Sequence, residues 1–368
     1  MREYALVLLI AAAITYLLSG LCRRFALRVG AVAKVRDRDI HVVPIPYFGG
    51  LAMLGGLFVA FTLAAELPFL GRHAVVGHDA RGVVIAGVVI CAIGVLDDII
   101  DLPAIAKFAG QALAAGIVVL NGVRIFWIPL PNSIISLDPV TSILITALFI
   151  MICSNAVNFA DGLDGLAAGI IAIGSGAFFV YTYVLAYEQD LVLATTASLI
   201  AVATCGVCLG FLPHNFHPAK MFMGDTGAML LGLLMATSAI SLTGQFDPSA
   251  LTATAGDLLP ALLPIILPFA ILLLPLLDLL FAVFRRTYNG QWWFIADRGH
   301  LHHQLLDRGF GQQGAVLLLY GWSAVVSFGL VIAGLTHSPV AWVICGLGIV
   351  ALAAITIRGG GGQRPLKA

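Results

Sequence analysis

In the segment GVLDDIIDLP, Asp97, Asp98 and Asp101 close an apolar run. Helical positions three and four apart share a face, so these carboxylates crowd one another and a cation relieves their repulsion. A hard divalent ion suits them, and Mg²⁺ in particular combines one or two carboxylates with substrate phosphates. The plain alternative is a solvated acidic helix end. Lys107 and Gln111 follow one helical turn apart on the next apolar stretch. A lysine there holds a phosphate as a point charge or anchors the helix at an interface.

A second cluster, NAVNFADGLDGLAAG, sets Asn155, Asn158, Asp161 and Asp164 at intervals of three, with Gly162 and Gly165 permitting a tight turn beside a ligand. In KMFMGDTGAMLLG, Asp225 lies between Gly224 and Gly227. A carboxylate there holds a cation while backbone N–H groups meet phosphate, or it simply caps a helix. Phe222 just upstream stacks on a base or packs as apolar surface. In ADRGHLHHQLLDRGF, the imidazoles of His300, His302 and His303 stand between Arg298 and Arg308. Metal and polyanion are both open for such a group; the flanking arginines favour a diphosphate. HVVPIPYFGGL, with His41, Pro44, Pro46, Gly49 and Gly50, is a rigid turn.

The elements that must hold these residues are dictated by composition. Of 368 residues, 60% are apolar and 10% charged, with a mean hydropathy of +1.03. A soluble globule of that size needs far more polar surface, so lipid is the solvent. Zero net charge excludes the basic field that nucleic acid requires. The expected fold is an all-α polytopic membrane protein of about 11 transmembrane helices, near 4–21, 48–65, 82–97, 104–121, 141–159, 166–186, 191–212, 227–243, 258–283, 314–335 and 339–357. Only Arg2 and Glu3 precede the first run, which reads as a retained span rather than a secretory leader. With the N-terminus outside and the C-terminus inside, most of the 19 Lys and Arg residues fall in inner segments, which sets that orientation. Pro260, Pro264, Pro268 and Pro275 kink or break the ninth helix and open a substrate groove; a long helix bent only by its neighbours is the alternative. Residues 1–357 form one integral membrane domain with its chemical loops at the cytoplasmic face, followed by a flexible cytoplasmic tail, 358–368. Cys205 and Cys208 form a C-x-x-C within an apolar run, which reads as packing rather than redox or zinc chemistry.

In this order and on these loops, DDIID, the Lys107 to Gln111 spacing, NAVNFADGLDGL, FMGDTG and HLHH closely resemble the polyprenyl-phosphate N-acetylhexosamine-1-phosphate transferases, of glycosyltransferase family 4 type. The resemblance spans roughly residues 40–310, and HLHH is similar to the branch that uses UDP-GlcNAc. It implies attack by a polyprenyl phosphate, undecaprenyl or decaprenyl, on the sugar-bearing phosphorus of UDP-GlcNAc. The products would be polyprenyl-diphospho-GlcNAc and UMP, initiating cell-envelope polysaccharide such as teichoic acid, lipopolysaccharide or an arabinogalactan linker. It also implies Mg²⁺, with Mn²⁺ as the substitute cation, a bacterial inner (plasma) membrane location and a homodimer as a further expectation.

Position by position, the resemblance would make Asp225 and Asn158 metal ligands. Asp97 and Asp98 would engage the acceptor phosphate or act as base, Asp164 and Phe222 would lie near the uracil, and Lys107, His300, His302 and His303 near phosphates. Asp101, Asn155, Asp161 and Arg298 complete the expected substrate contacts. A phosphate monoester is already largely ionised near neutral pH, which leaves electrostatic positioning as the alternative task for Asp97. A covalent aspartyl-phosphate route is the competing mechanism. The chain departs from this branch at Tyr47, where members often carry Arg, and near Ala33, where they carry Asp. A secondary transporter would also bury acids among helices, but near the bilayer midplane and with internal repeats.

Overall fold

The computed structural model describes residues 1–33, 44–72, 74–130, 133–188, 194–243, 258–271, isolated positions between 273 and 305, 308–336 and 338–359. The chain is an all-α polytopic membrane protein: nine of the described helices are long and apolar enough to cross a bilayer. In chain order the helices are α1 (Arg2–Val29), α2 (Gly49–Glu66), α3 (Ala74–Ile100), α4 (Ala104–Leu120), α5 (Pro139–Ala160) and α6 (Leu166–Glu188), then α7 (Ala194–Asn215), α8 (Gly224–Thr243), α9 (Leu258–Ile271), α10 (Gln312–Thr336) and α11 (Pro339–Arg358). In lipid every backbone polar group must be satisfied within the chain, and helices do this without partners.

Several elements outrun the apolar runs that announced them. α1 continues through Arg23, Arg24 and Arg28 to a left-handed cap at Gly30, φ 78°. Long basic side chains reach the polar interface while their stems stay on the helix, so the helix need not stop at the first charge. α3 likewise begins at Ala74, ahead of the expected 82. α9 is helical through Pro260, Pro264 and Pro268, while Pro275 lies outside the described residues. Of the expected tail, residues 360–368 lie outside them too. A short antiparallel hairpin, β1 (Trp127–Leu130) and β2 (Ser133–Ser136), joins α4 to α5, with Trp127 opposite Ser136.

The centre of the bundle is α8. Its apolar window is fully buried, with α2, α3, α5, α7 and α9 packed around it. A helix apolar on all sides belongs in such a place. Glycines bring the backbones together there: a Cβ on Gly50 of α2 or on Gly94 of α3 would run into the backbone at Thr226 and Gly227. In lipid, where burial of apolar surface supplies little drive between helices, close backbone contact is a main source of association. α11 is the opposite case, with no buried residue, packed against α10 at the periphery. All six cysteines are free, and Cys205 and Cys208 are buried in α7, in keeping with a packing role.

Candidate active site

The N-terminus of α8 meets the C-terminal ends of α3 and α5 and the first turn of α4, and the chemically interesting residues gather at this one end of the bundle. Lys107 is the hub. Its Nζ lies 2.5 Å from Asp97 Oδ2 and 3.1 Å from Asp225 Oδ2. The other oxygen of Asp225 accepts from Asn158 Nδ2 at 2.8 Å, and Asp97 Oδ1 accepts from the backbone N–H of Leu102 at 2.8 Å. Asp98 faces another way: Oδ1 accepts from the Asp225 N–H at 2.9 Å and Oδ2 from the Thr226 hydroxyl at 2.7 Å. Adjacent helical residues diverge by about 100°, so neighbouring carboxylates enter different environments.

One turn deeper, Asn155 donates to Gln111 Oε1 at 2.8 Å and to the Met151 carbonyl at 2.7 Å. Gln111 is buried, and its amide also reaches Met229 Sδ at 3.3 Å. This pair forms a polar floor under the Lys107 cluster.

Asp161 follows the last turn of α5 and is half-buried. Loss of solvent, followed by the negative charges of Asp225, Asp98 and Asp164, pushes its carboxyl up to about 8. Asp164 turns into a separate pocket, where its buried Oδ2 meets His217 Nδ1 at 2.8 Å and the Ala219 N–H at 3.0 Å. Asn215 ties the same loop down, accepting from the Gly165 N–H at 3.1 Å and donating to the Met221 carbonyl at 3.0 Å. Tyr320 of α10 donates to the Gly165 carbonyl at 2.5 Å.

Phe222 lies against Tyr47, ring centroids 6.2 Å apart, and its backbone bonds Pro46 and Gly49, so the turn before α2 is laced to the entry of α8. Asp101 is exposed, with a left-handed φ of 56°, and its backbone N–H donates to the Asp97 carbonyl at 3.0 Å. Arg298, His300, His302 and His303 lie outside the described residues, as does His41.

Thr226, Asn215, His217 and Tyr320 carry structural weight here that spacing did not reveal. His217 and Asn215 sit in HNFHPAKMF, a polar island between two apolar runs, and that island was the available signal. Thr226 gave none: a threonine early in a helix is commonplace.

This geometry can be set beside known proteins. The profile described as glycosyl transferase family 4 matches residues 80–243, the span that contains the lysine cluster and the Asp164 pocket. The decaprenyl-phosphate N-acetylglucosaminephosphotransferase of Mycobacterium tuberculosis (strain ATCC 25618 / H37Rv) is 44% identical over 333 residues, covering 89% of this chain and 82% of that protein. The chain belongs to glycosyl transferase family 4. Two other relatives show the breadth of the likeness. The probable undecaprenyl-phosphate N-acetylglucosaminyl 1-phosphate transferase of Bacillus subtilis (strain 168) is 34% identical, over 83% of this chain and 77% of its own length. The phospho-N-acetylmuramoyl-pentapeptide-transferase of Mycobacterium marinum (strain ATCC BAA-535 / M) is 32% identical, over 64% of this chain and 75% of its own. As a family 4 glycosyl transferase, this chain has its carboxylates, amides and lysine where helix ends meet, as a reaction between water-borne and lipid-borne substrates demands.

Proposed function

We propose that this chain transfers GlcNAc-1-phosphate from UDP-GlcNAc to a polyprenyl phosphate, undecaprenyl or decaprenyl, giving polyprenyl-diphospho-GlcNAc and UMP. The observation that carries the reading is the 44% identity, over 89% of the chain, to a decaprenyl-phosphate N-acetylglucosaminephosphotransferase. The cluster of Asp97, Lys107, Asn158 and Asp225 gives it a chemical basis. The lipid phosphate oxygen forms the new bond to the sugar-bearing phosphorus. The bond from that phosphorus to the bridging oxygen breaks, and the electron pair leaves with UMP.

Both reactants are anions, so their mutual repulsion is the main obstacle to an in-line displacement. Lys107 supplies a positive charge within reach of the phosphates, and Asp97 holds that ammonium in place. The attacking phosphate carries its own negative charge, so no side chain has to remove a proton from it. In this reading Asp164, anchored by His217 and Ala219, and Phe222 would lie near the uracil, and Arg298, His300, His302 and His303 would supply donors for the diphosphate.

A cation fits this donor set. Asp225 carries carboxylate oxygens and Asn158, whose Nδ2 donates to one of them, carries an amide oxygen, all hard donors, and Asp161 stands near the negative charges of Asp225, Asp98 and Asp164. Among the described residues no three His, Cys, Asp or Glu side chains form a ready-made metal cage. Mg²⁺ binds in that manner, through one or two carboxylates with water and phosphate completing the shell. Asp225 and Asn158 would hold Mg²⁺, or Mn²⁺ in its place, and the chemistry such an ion supplies is neutralisation of the diphosphate charge.

The proposal includes the orientation read from the charges: eleven spans, N-terminus outside, and the reaction at the cytoplasmic face of a bacterial plasma membrane. Purified protein in detergent is expected to release UMP from UDP-GlcNAc when polyprenyl phosphate and Mg²⁺ are both present. UMP release that persists without lipid refutes the transfer. A panel with UDP-MurNAc-pentapeptide as competing donor identifies the sugar, and the decaprenyl and undecaprenyl acceptors are compared in the same assay.

A further inference from the structure

Asp97 and Asp98 are adjacent in sequence, yet the second has no oxygen directed at the lysine cluster. Its Oδ1 accepts from the backbone N–H of Asp225 at 2.9 Å and its Oδ2 from the Thr226 hydroxyl at 2.7 Å. The first four N–H groups of a helix lack partners within it, and the residue just before α8 is Met223, whose side chain cannot cap. We infer that Asp98 is a positioning residue rather than a base or a cation ligand: from α3 it caps the N-terminus of α8 and so orients the Asp225 side chain toward Asn158 and Lys107. The inference rests on the transferase reading for its kinetic consequences and on geometry alone for the cap.

Independent features agree. Gly224 has φ 69°, and a Cβ there would strike the Asp98 carboxylate, so the glycine makes room for the cap. Gly94, one turn before Asp98, lets α3 approach the Thr226 backbone closely. Thr226 is fully buried and donates its hydroxyl hydrogen bond to Asp98, so each oxygen of that carboxylate is engaged by the first turn of α8. A negative charge at a helix N-terminus is also favoured by the helix dipole, which makes a carboxylate suited to the post.

The test uses the full chain in detergent and compares Asp98→Asn, Asp98→Ala, Thr226→Val and Thr226→Ser with the parent protein. Asparagine caps helices about as well as aspartate, so Asp98→Asn is expected to keep kcat within about tenfold of the parent. Asp98→Ala is expected to lose about a hundredfold in kcat, the size of effect a misplaced reacting group produces, while KM for UDP-GlcNAc moves less than about threefold. Thr226→Val should fall between them, and Thr226→Ser should restore the parent rate. Hydrogen exchange at residues 224–227, measured without substrate, is expected to speed up in Asp98→Ala and Thr226→Val and to stay slow in Asp98→Asn and Thr226→Ser.

A loss in Asp98→Asn as deep as in Asp98→Ala would overturn the inference, because a base or an anionic ligand is not rescued by an amide. Unchanged exchange in Asp98→Ala would overturn it as well. If the parent protein releases no UMP under any condition, the transferase reading fails, and the exchange measurement still decides whether Asp98 caps α8.

Discussion

Lys107 bonds the same carboxylate, Asp225, that the proposed function gives to a divalent cation, and replacing the lysine with methionine measures how far the two charges substitute for one another. At an effective dielectric of about 20, unit charges near 3 Å attract by roughly 5 kcal/mol before desolvation is subtracted. Removing one partner of a fully buried pair costs about 3–5 kcal/mol because the other charge is stranded. Lys107 is 29% exposed and Asp225 28%, whereas Asp97 is only 6% exposed, so solvent relieves one stranded carboxylate more than the other. A net loss of about 2–3 kcal/mol in the absence of metal follows once that screening is allowed for. A cation at a hundred times its dissociation constant returns about 2.7 kcal/mol. Lys107→Met is therefore expected to unfold at lower temperature than the parent in EDTA and to gain more from Mg²⁺ than the parent does. The assay is thermal unfolding in detergent, followed by tryptophan fluorescence, in EDTA and across a Mg²⁺ titration without substrate. An equal Mg²⁺ increment in both proteins, or a variant as stable as the parent in EDTA, refutes the reasoning.

Other perturbations test separate parts of the structure. Asp225→Asn keeps the shape but removes the charge, and UMP release at saturating Mg²⁺ should fall by about a hundredfold or more; unchanged turnover would remove Asp225 from the cation site. Gly94→Leu forces a side chain into the backbone at Thr226, and the overpacking should destabilise the protein by about 1–3 kcal/mol, read as a lowered unfolding temperature. Tyr320→Phe deletes the hydrogen bond to the Gly165 carbonyl, a loss of about 1 kcal/mol. Because Gly165 also bonds Asn215 in the Asp164 pocket, that variant should raise KM for UDP-GlcNAc more than it lowers kcat, and a change confined to kcat would count against the pocket as the nucleotide's site.

The membrane architecture was legible without coordinates because bilayer thickness sets the length of an apolar run, whatever the helices then pack against. The run near 227–243 became α8 with little change, and the acids stood out because carboxylates beside apolar runs are costly to keep without a task. Helix ends were less legible. The basic end of α1 and the polar start of α3 continue as helix past the apolar limit, since backbone hydrogen bonds do not depend on side-chain polarity.

Which helix stands at the centre was hidden for a physical reason. In lipid both the buried and the exposed faces of a helix are apolar, so periodicity carries no record of what faces the protein. α8, whose apolar window is fully buried, and α11, with no buried residue, look alike as strings of apolar residues. The same holds within the site. Residue types and order raised the expectation that Asp97, Asp98, Asn158, Lys107 and Asp225 share one site, and the fold brings them to the same end of the bundle. Only packing decided that Lys107 bridges Asp97 and Asp225 while Asp98 turns aside to cap α8, because a rotation of about 100° between successive residues sends adjacent carboxylates to different neighbours.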